Sequence, residues 1–275
     1  MPPRLAVVAG SGALPLRVIE AALSAGREVF VFGVQGQVEQ PVLDAAPHMI
    51  LPIGAAGRFL KELRARGIEE VVLAGRVQRP SLRDTKLDWV AAKIIARATF
   101  KALGDDGVMR SVIKTIETQG GARVVAPQDI MVDLRATEGL YGRHAPDATA
   151  RTDIRRGIEV ARELGRVDVG QSVVVQHGIV LGVEAIEGTD ALIQRCAPLR
   201  RKLAGGVLVK ICKPQQDRRA DPPVIGPATV LAVASAGLAG IAVEAGGVIV
   251  LDRAESVRLA DEKGLFLVGT RLDAN

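Results

Sequence analysis

Between Lys210 and Gly226 the chain reads KICKPQQDRRADPPVIG, its densest run of chemically capable side chains. Pro214 on one side and Pro222-Pro223 on the other oppose a helix across this segment. In an extended chain alternate side chains share a face, which puts Asp217, Arg219 and Asp221 together. Two carboxylates bracketing a guanidinium, with Lys210 and Lys213 close by and Gln216 in the same run, suit metal-assisted phosphoryl chemistry. The carboxylates can hold a hard cation through oxygen, and one of them can take a proton from attacking water. Arginine and lysine offset charge developing on phosphoryl oxygens. The competing reading is a solvated loop with local ion pairs. Its place between an apolar strand and an apolar, glycine-stopped helix favours function.

Two further sets could join it. In VEAIEGTD (183–190), Thr189 or Asp190 reads first as a helix N-cap. The functional reading adds a phosphate at Thr189 and a cation at Glu184. Near the start, Gly10-Ser11-Gly12 ends a strand and opens a helix, so its amides can face a phosphate. Pro15 replaces the third glycine of a dinucleotide fingerprint, and no acid follows Phe32 to hold a ribose, which disfavours NAD. Phosphate contact competes there with a mere tight turn. Gly75, Arg76 and Gln128 are the other candidates for the ligand-binding floor. His48, His144 and His177 are scattered, and no GxSxG, HxD or HExxH motif occurs.

The elements that must position these groups alternate regularly in the first half. Leu5–Ala9, Glu28–Phe32, Met49–Pro52, Val71–Ala74 and Val124–Ala126 read as strands, with helices expected over 13–25, 57–66 and 86–98. That alternation predicts a Rossmann-like parallel sheet covered by helices. Gly10, Gly33, Gly54 and Gly75 follow four of the strands, where open sheets bind ligands. The beat breaks at LRATEGLYGRHAPDA. The expected division is therefore a Rossmann-like domain over 1–135, a linker over 136–147 and an α/β domain with a mixed sheet over 148–275. In the latter we expect a helix at 148–164 and a hairpin turning at His177-Gly178. A helix at 190–202 and a strand over Val207–Ile211 follow. Beyond the loop come an apolar helix and strands near 241–243, 248–251 and 265–268.

Composition narrows the class. Hydrophobic residues make up 48% of the chain, which excludes disorder. Aromatics number only five Phe, one Trp and one Tyr, too few for base stacking, so no nucleic-acid partner is expected. The net charge of +5 suits an anionic ligand or membrane surface as readily as neutral surface composition. Cys196 and Cys212 form no CxxC and read as reduced core residues of a cytoplasmic protein. The N-terminal MPPRLAVVAGSG reads as a strand rather than a signal peptide. The uncharged run 222–243 is long enough to span a bilayer, but its prolines and glycines favour a buried helix and strand.

Seven stretches resemble one enzyme family: VVAGSGALP (7–15), VVLAGRVQRP (71–80), LGDDGVMR (103–110), GQSVVV (170–175), VEAIEGTDALIQR (183–195), the run 206–230 and GLAGIAVEAGGVIVLDR (237–253). They are similar to UDP-2,3-diacylglucosamine pyrophosphatases of the LpxI type, over roughly residues 5 to 270. The resemblance implies hydrolysis of an acylated UDP-sugar to UMP and 2,3-diacylglucosamine 1-phosphate in lipid A biosynthesis, with Mg²⁺ or another divalent cation. It implies water directed at the phosphorus nearer the sugar. The family's acidic cluster maps onto Asp217 and Asp221, with Asp221 expected to be essential as base or cation ligand. Peripheral contact with the inner-membrane surface and homo-oligomerisation are left open. The rivals are a nucleotide-cofactor oxidoreductase and a non-catalytic acyl-sugar carrier.

Overall fold

The computed structural model describes residues 2–78, 87–101, 105–201, 205–214, 217, 219 and 222–272, with backbone alone at 97–101, 105, 106 and 132. The chain divides into two units: residues 1–132 with 217–221, and residues 133–216 with 222–275.

The first unit runs β1 (Leu5–Ala9), α1 (Leu14–Ser24), β2 (Val29–Val34), α2 (Gln40–Asp44), β3 (His48–Leu51), α3 (Ala56–Ala65), β4 (Glu70–Ala74), α4 (Trp89–Lys101), α5 (Asp105–Thr115), β5 (Arg123–Val125) and α6 (Pro127–Ile130). Its five strands pair in parallel in the order β3-β2-β1-β4-β5. The apolar β1 and the apolar-rich β4 are buried nearly throughout, as central strands covered on both faces must be. Pro15 sits in the first turn of α1, where its missing N–H costs nothing. Phe30, Phe32 and Phe59 stack edge to face in a core completed by Leu63, Val71 and Ile113. After α5 the chain continues as one π-helical turn, Ile116–Gly120, closed by left-handed Gly121.

The second unit runs β6 (Gly139–Leu140), α7 (Ala148–Arg166), β7 (Ser172–Gln176), β8 (Ile179–Val183), α8 (Thr189–Cys196), β9 (Val207–Lys210), β10 (Val224–Ile225), α9 (Pro227–Ser235), β11 (Gly240–Glu244), β12 (Ile249–Val250), α10 (Arg253–Glu262) and β13 (Phe266–Thr270). Its main sheet is mixed, in the order β6-β13-β11-β9-β7-β8, with β9, β11 and β13 parallel. β10 and β12 form a separate parallel pair. Asp147 caps α7 by accepting the Ala150 N–H at 2.7 Å. Gly157 lets that helix close on Val209, whose side chain leaves no room for a Cβ. The hairpin turns at His177 and Gly178, both at positive φ, and buried Asp153 accepts both of their amides.

The mixed α/β architecture matches the sequence reading, and three details differ. The expected linker contains β6, which pairs antiparallel with β13 and so belongs to the second unit. The helix expected to reach 202 stops at Cys196, because Pro198 cannot donate the next helical bond. The sequence reading also lacked α10, whose alternating Arg and Glu residues hide its buried Ser256, Leu259 and Ala260. The uncharged run resolves into α9 and β11, and no described helix is long and apolar enough to cross a membrane. Cys196 and Cys212 are both buried free thiols in the second unit.

Candidate functional site

At the C-terminal ends of β1 and β4 the glycine loop is closed on itself. The Gly10 N–H donates to the Ala74 carbonyl, and Ser11 and Arg76 exchange both backbone bonds, each at 2.9 Å. The Ser11 hydroxyl also donates to the Arg76 carbonyl. The Gly12 N–H donates to the Glu39 carboxylate at 2.9 Å. The amides expected to meet a phosphate therefore already have acceptors, and a carboxylate stands where the anion would. The glycines serve the closure itself. A Cβ on Gly75, at φ +86°, would lie 2.7 Å from the Ser11 carbonyl oxygen, and one on Gly10 would collide with the Arg76 carbonyl. Arg76 is exposed beside this bridge, and Gln128 is buried at the start of α6.

The second unit gathers a different set at one end of its sheet. Ser172 on β7 lies opposite Lys210, the last residue of β9, and the Glu184 amide donates to the Ser172 carbonyl. Ser172, Glu184, Thr189 and Lys210 are all more than nine-tenths buried. Lys210 Nζ donates to Thr189 Oγ1 at 2.8 Å, and that hydroxyl donates to Glu184 Oε1 at 2.8 Å. Ser172 Oγ stands 3.4 Å from the same hydroxyl. Glu184 Oε2 is buried with no hydrogen-bond partner among the described residues. An ammonium and a carboxylate joined through one hydroxyl make a buried charge pair with acceptor capacity left over. Thr189 is the first residue of α8 and Gly188 its cap, so the reading of Thr189 or Asp190 as N-cap is corrected. The Thr189 hydroxyl is spent on its neighbours across the sheet.

β9 leads directly into the loop singled out by its sequence. The Cys212 amide donates to buried Glu244 at 2.7 Å, and Lys213 pairs with Asp168 at 2.5 Å. Further along, Arg219 grips Asp217 with its fork, Nε to Oδ1 at 2.9 Å and Nη2 to Oδ2 at 2.7 Å. This bonding holds the Asp217 carboxyl below the usual carboxylate range despite burial. The remaining guanidinium nitrogen, Nη1, donates to Glu117 at 2.9 Å. Asp217 and Arg219 thus lie together, as alternation along the chain predicts. Gln216 and Asp221 lie outside the described residues.

No group of three or more His, Cys, Asp or Glu among the described residues is disposed to hold a metal ion. Asp217 has both oxygens on Arg219, and Glu184 accepts from the Thr189 hydroxyl that Lys210 also reaches. These carboxylates alone do not form a cation cage. Sequence reasoning passed over Glu39, Glu117, Asp168, Ser172 and Glu244, because each acts through a partner distant in the chain.

Comparison with known proteins gives a consistent result. The LpxI N-terminal domain matches residues 4–134, and the LpxI C-terminal domain matches residues 137–268. The chain is 38% identical to UDP-2,3-diacylglucosamine pyrophosphatase LpxI of Caulobacter vibrioides over 273 residues, 97% of each protein. Among solved structures, a phosphoribosylglycinamide synthetase from Anaerococcus prevotii aligns at 10% identity and TM-score 0.26, over 73% of this chain and 43% of that one. The biotin carboxylase domain of the Hydrogenobacter thermophilus 2-oxoglutarate carboxylase aligns at 12% and 0.27, over 64% and 35%. Likeness at that level carries no argument. With both halves matched and nearly the whole length shared with a curated relative, the chain belongs to the LpxI family.

Proposed function

We propose that this hydrolase cleaves the pyrophosphate of UDP-2,3-diacylglucosamine, releasing UMP and 2,3-diacylglucosamine 1-phosphate for lipid A synthesis. The observation that carries the reading is 38% identity across 97% of both chains with a relative of that activity. In the proposed step a water oxygen bonds to the phosphorus nearer the sugar. The bond from that phosphorus to the bridging oxygen breaks, and the bridging oxygen leaves on UMP. Asp221 either accepts the proton of the attacking water or helps hold a divalent cation, and Asp217 shares its loop. Lys213, at the root of that loop, is the candidate cation for the pyrophosphate oxygens and would share its charge with Asp168. Ser11, Arg76 and Gln128 remain candidates for the other ligand portion. To use the Gly12 amide, that ligand would have to displace Glu39.

The experiment is substrate turnover followed by mass spectrometry. Wild type in ¹⁸O water is expected to place the label on the sugar phosphate. Asp221→Ala is expected to lose turnover by at least about a thousandfold, as removal of a catalytic group does. A chelator is expected to stop wild type if the proposed cation is required. Wild-type protein that releases no UMP from this substrate overturns the reading, and full activity in Asp221→Ala overturns the role of that residue. Delivery of so apolar a substrate favours transient contact with an anionic membrane surface, for which the net charge of +5 is suited.

A further inference from the structure

We propose that Glu117 is a positioning residue for the acidic loop, acting through Arg219. The inference rests on the reaction proposed above for what the loop does, and on geometry alone for what holds it. Residues 217–221 are grouped with the first unit, as is Glu117. All three guanidinium nitrogens of Arg219 are engaged, two on Asp217 and one on Glu117. Three of its five N–H bonds are thus spent on the two carboxylates, which it holds at fixed separation. Arg219 in this role is a strut between Glu117 and Asp217. The fork fixes the Asp217 carboxylate in plane as well as in distance, because bidentate pairing sets both.

Glu117 is itself held in place. It lies in the π-helical turn that ends α5, a local irregularity that re-aims side chains and recurs at functional sites. The same oxygen that accepts from Arg219 stands 3.4 Å from the Val124 amide on β5. Gly120 lets the turn close against Leu60 and Leu63, which would lie 3.2 Å from a Cβ there. The sequence of contacts is thus sheet, Glu117, Arg219, Asp217. Pairs this exposed add little to global stability. Their effect is expected in the loop's geometry instead.

The test compares Glu117→Gln, which keeps an acceptor oxygen, with Glu117→Ala, which removes it. For turnover, Glu117→Ala is expected to lower kcat about thirtyfold with KM changed less than about twofold, and Glu117→Gln to recover about half of that loss on a logarithmic scale. In an Arg219→Gln background the same Glu117→Ala change is expected to cost less than about twofold, since its route of action is gone. Hydrogen exchange of the peptide over 213–221 is expected to speed up about tenfold in Glu117→Ala, with β1 and β4 unchanged. Unaltered exchange in that peptide overturns the inference whatever the substrate. If wild type is active and Glu117→Ala keeps its kcat, the inference falls while the reaction stands. If wild type releases no UMP, the reaction falls and exchange alone decides the role of Glu117.

Discussion

The two sheets end in opposite ways. At the C-terminal ends of β1 and β4, three successive amides donate to protein acceptors, the last of them to Glu39. Beside the C-terminal end of β9, a buried carboxylate keeps one oxygen without a partner among the described residues. The first arrangement is closed on itself, whereas the second keeps an acceptor open among the described residues. A glycine-rich turn after a strand is thus an ambiguous signal, because the same lack of Cβ admits either a phosphate or another stretch of backbone. What separates the two cases is where the donors point, and that depends on partners far along the chain.

The largest expected effect is at the β9 end. Lys210→Met removes the buried ammonium that reaches Glu184 through the Thr189 hydroxyl and is expected to cost about 4 kcal/mol in urea unfolding, as removing one charge from a buried network does. Adding Glu184→Gln is expected to restore more than half of that loss. Wild-type stability in Lys210→Met would show that this ammonium does not support the cluster, and the contrast would collapse. Next comes the closed end. Gly75→Ala is expected to cost about 3 kcal/mol, from positive φ and the Ser11 carbonyl together. A variant that stays stable and loses only substrate affinity would reassign this loop to ligand binding.

The smallest effect sharpens the comparison between buried carboxylates. Glu70 sits at the start of β4 with both oxygens engaged, one by Arg27 at 2.6 Å and one by Arg123. Burial alone would raise its carboxyl, but the bonds from Arg123 and Arg27 outweigh it and hold the group below the ordinary glutamate value of 4.5. A carboxyl with a lowered native pKa stabilises fully above its unfolded value, and the contribution fades as pH falls through the native value. Glu70→Gln is therefore expected to cost about 2 kcal/mol at pH 7 and progressively less in melts taken below pH 4.5. A loss independent of pH would mean that shape, not charge, is what Glu70 supplies.

The sheets were legible because their central strands are short apolar runs punctuated by glycine, and because Pro15, Asp147 and Gly237 stand at helix ends. The hairpin at His177-Gly178 was legible for the same local reason. α10 escaped because its buried residues are small or interrupted by charge. The pairing of Asp217 with Arg219 was legible from their alternation along the chain, and the wiring around them was not. Glu39 reaches Gly12 across 27 positions, and Glu117 reaches Arg219 across 102. Nothing local in ETQG or VEQ announces such a partner.

The two thiols have a practical consequence. Both are buried in the second unit, and burial also pushes the Cys196 thiol up, so both are shielded from reagents while that unit is closed. A thiol-specific reagent therefore times the opening of one half of the molecule and ignores the other. Used in the presence of candidate substrates, its labelling rate becomes a binding assay that needs no turnover and no engineered probe.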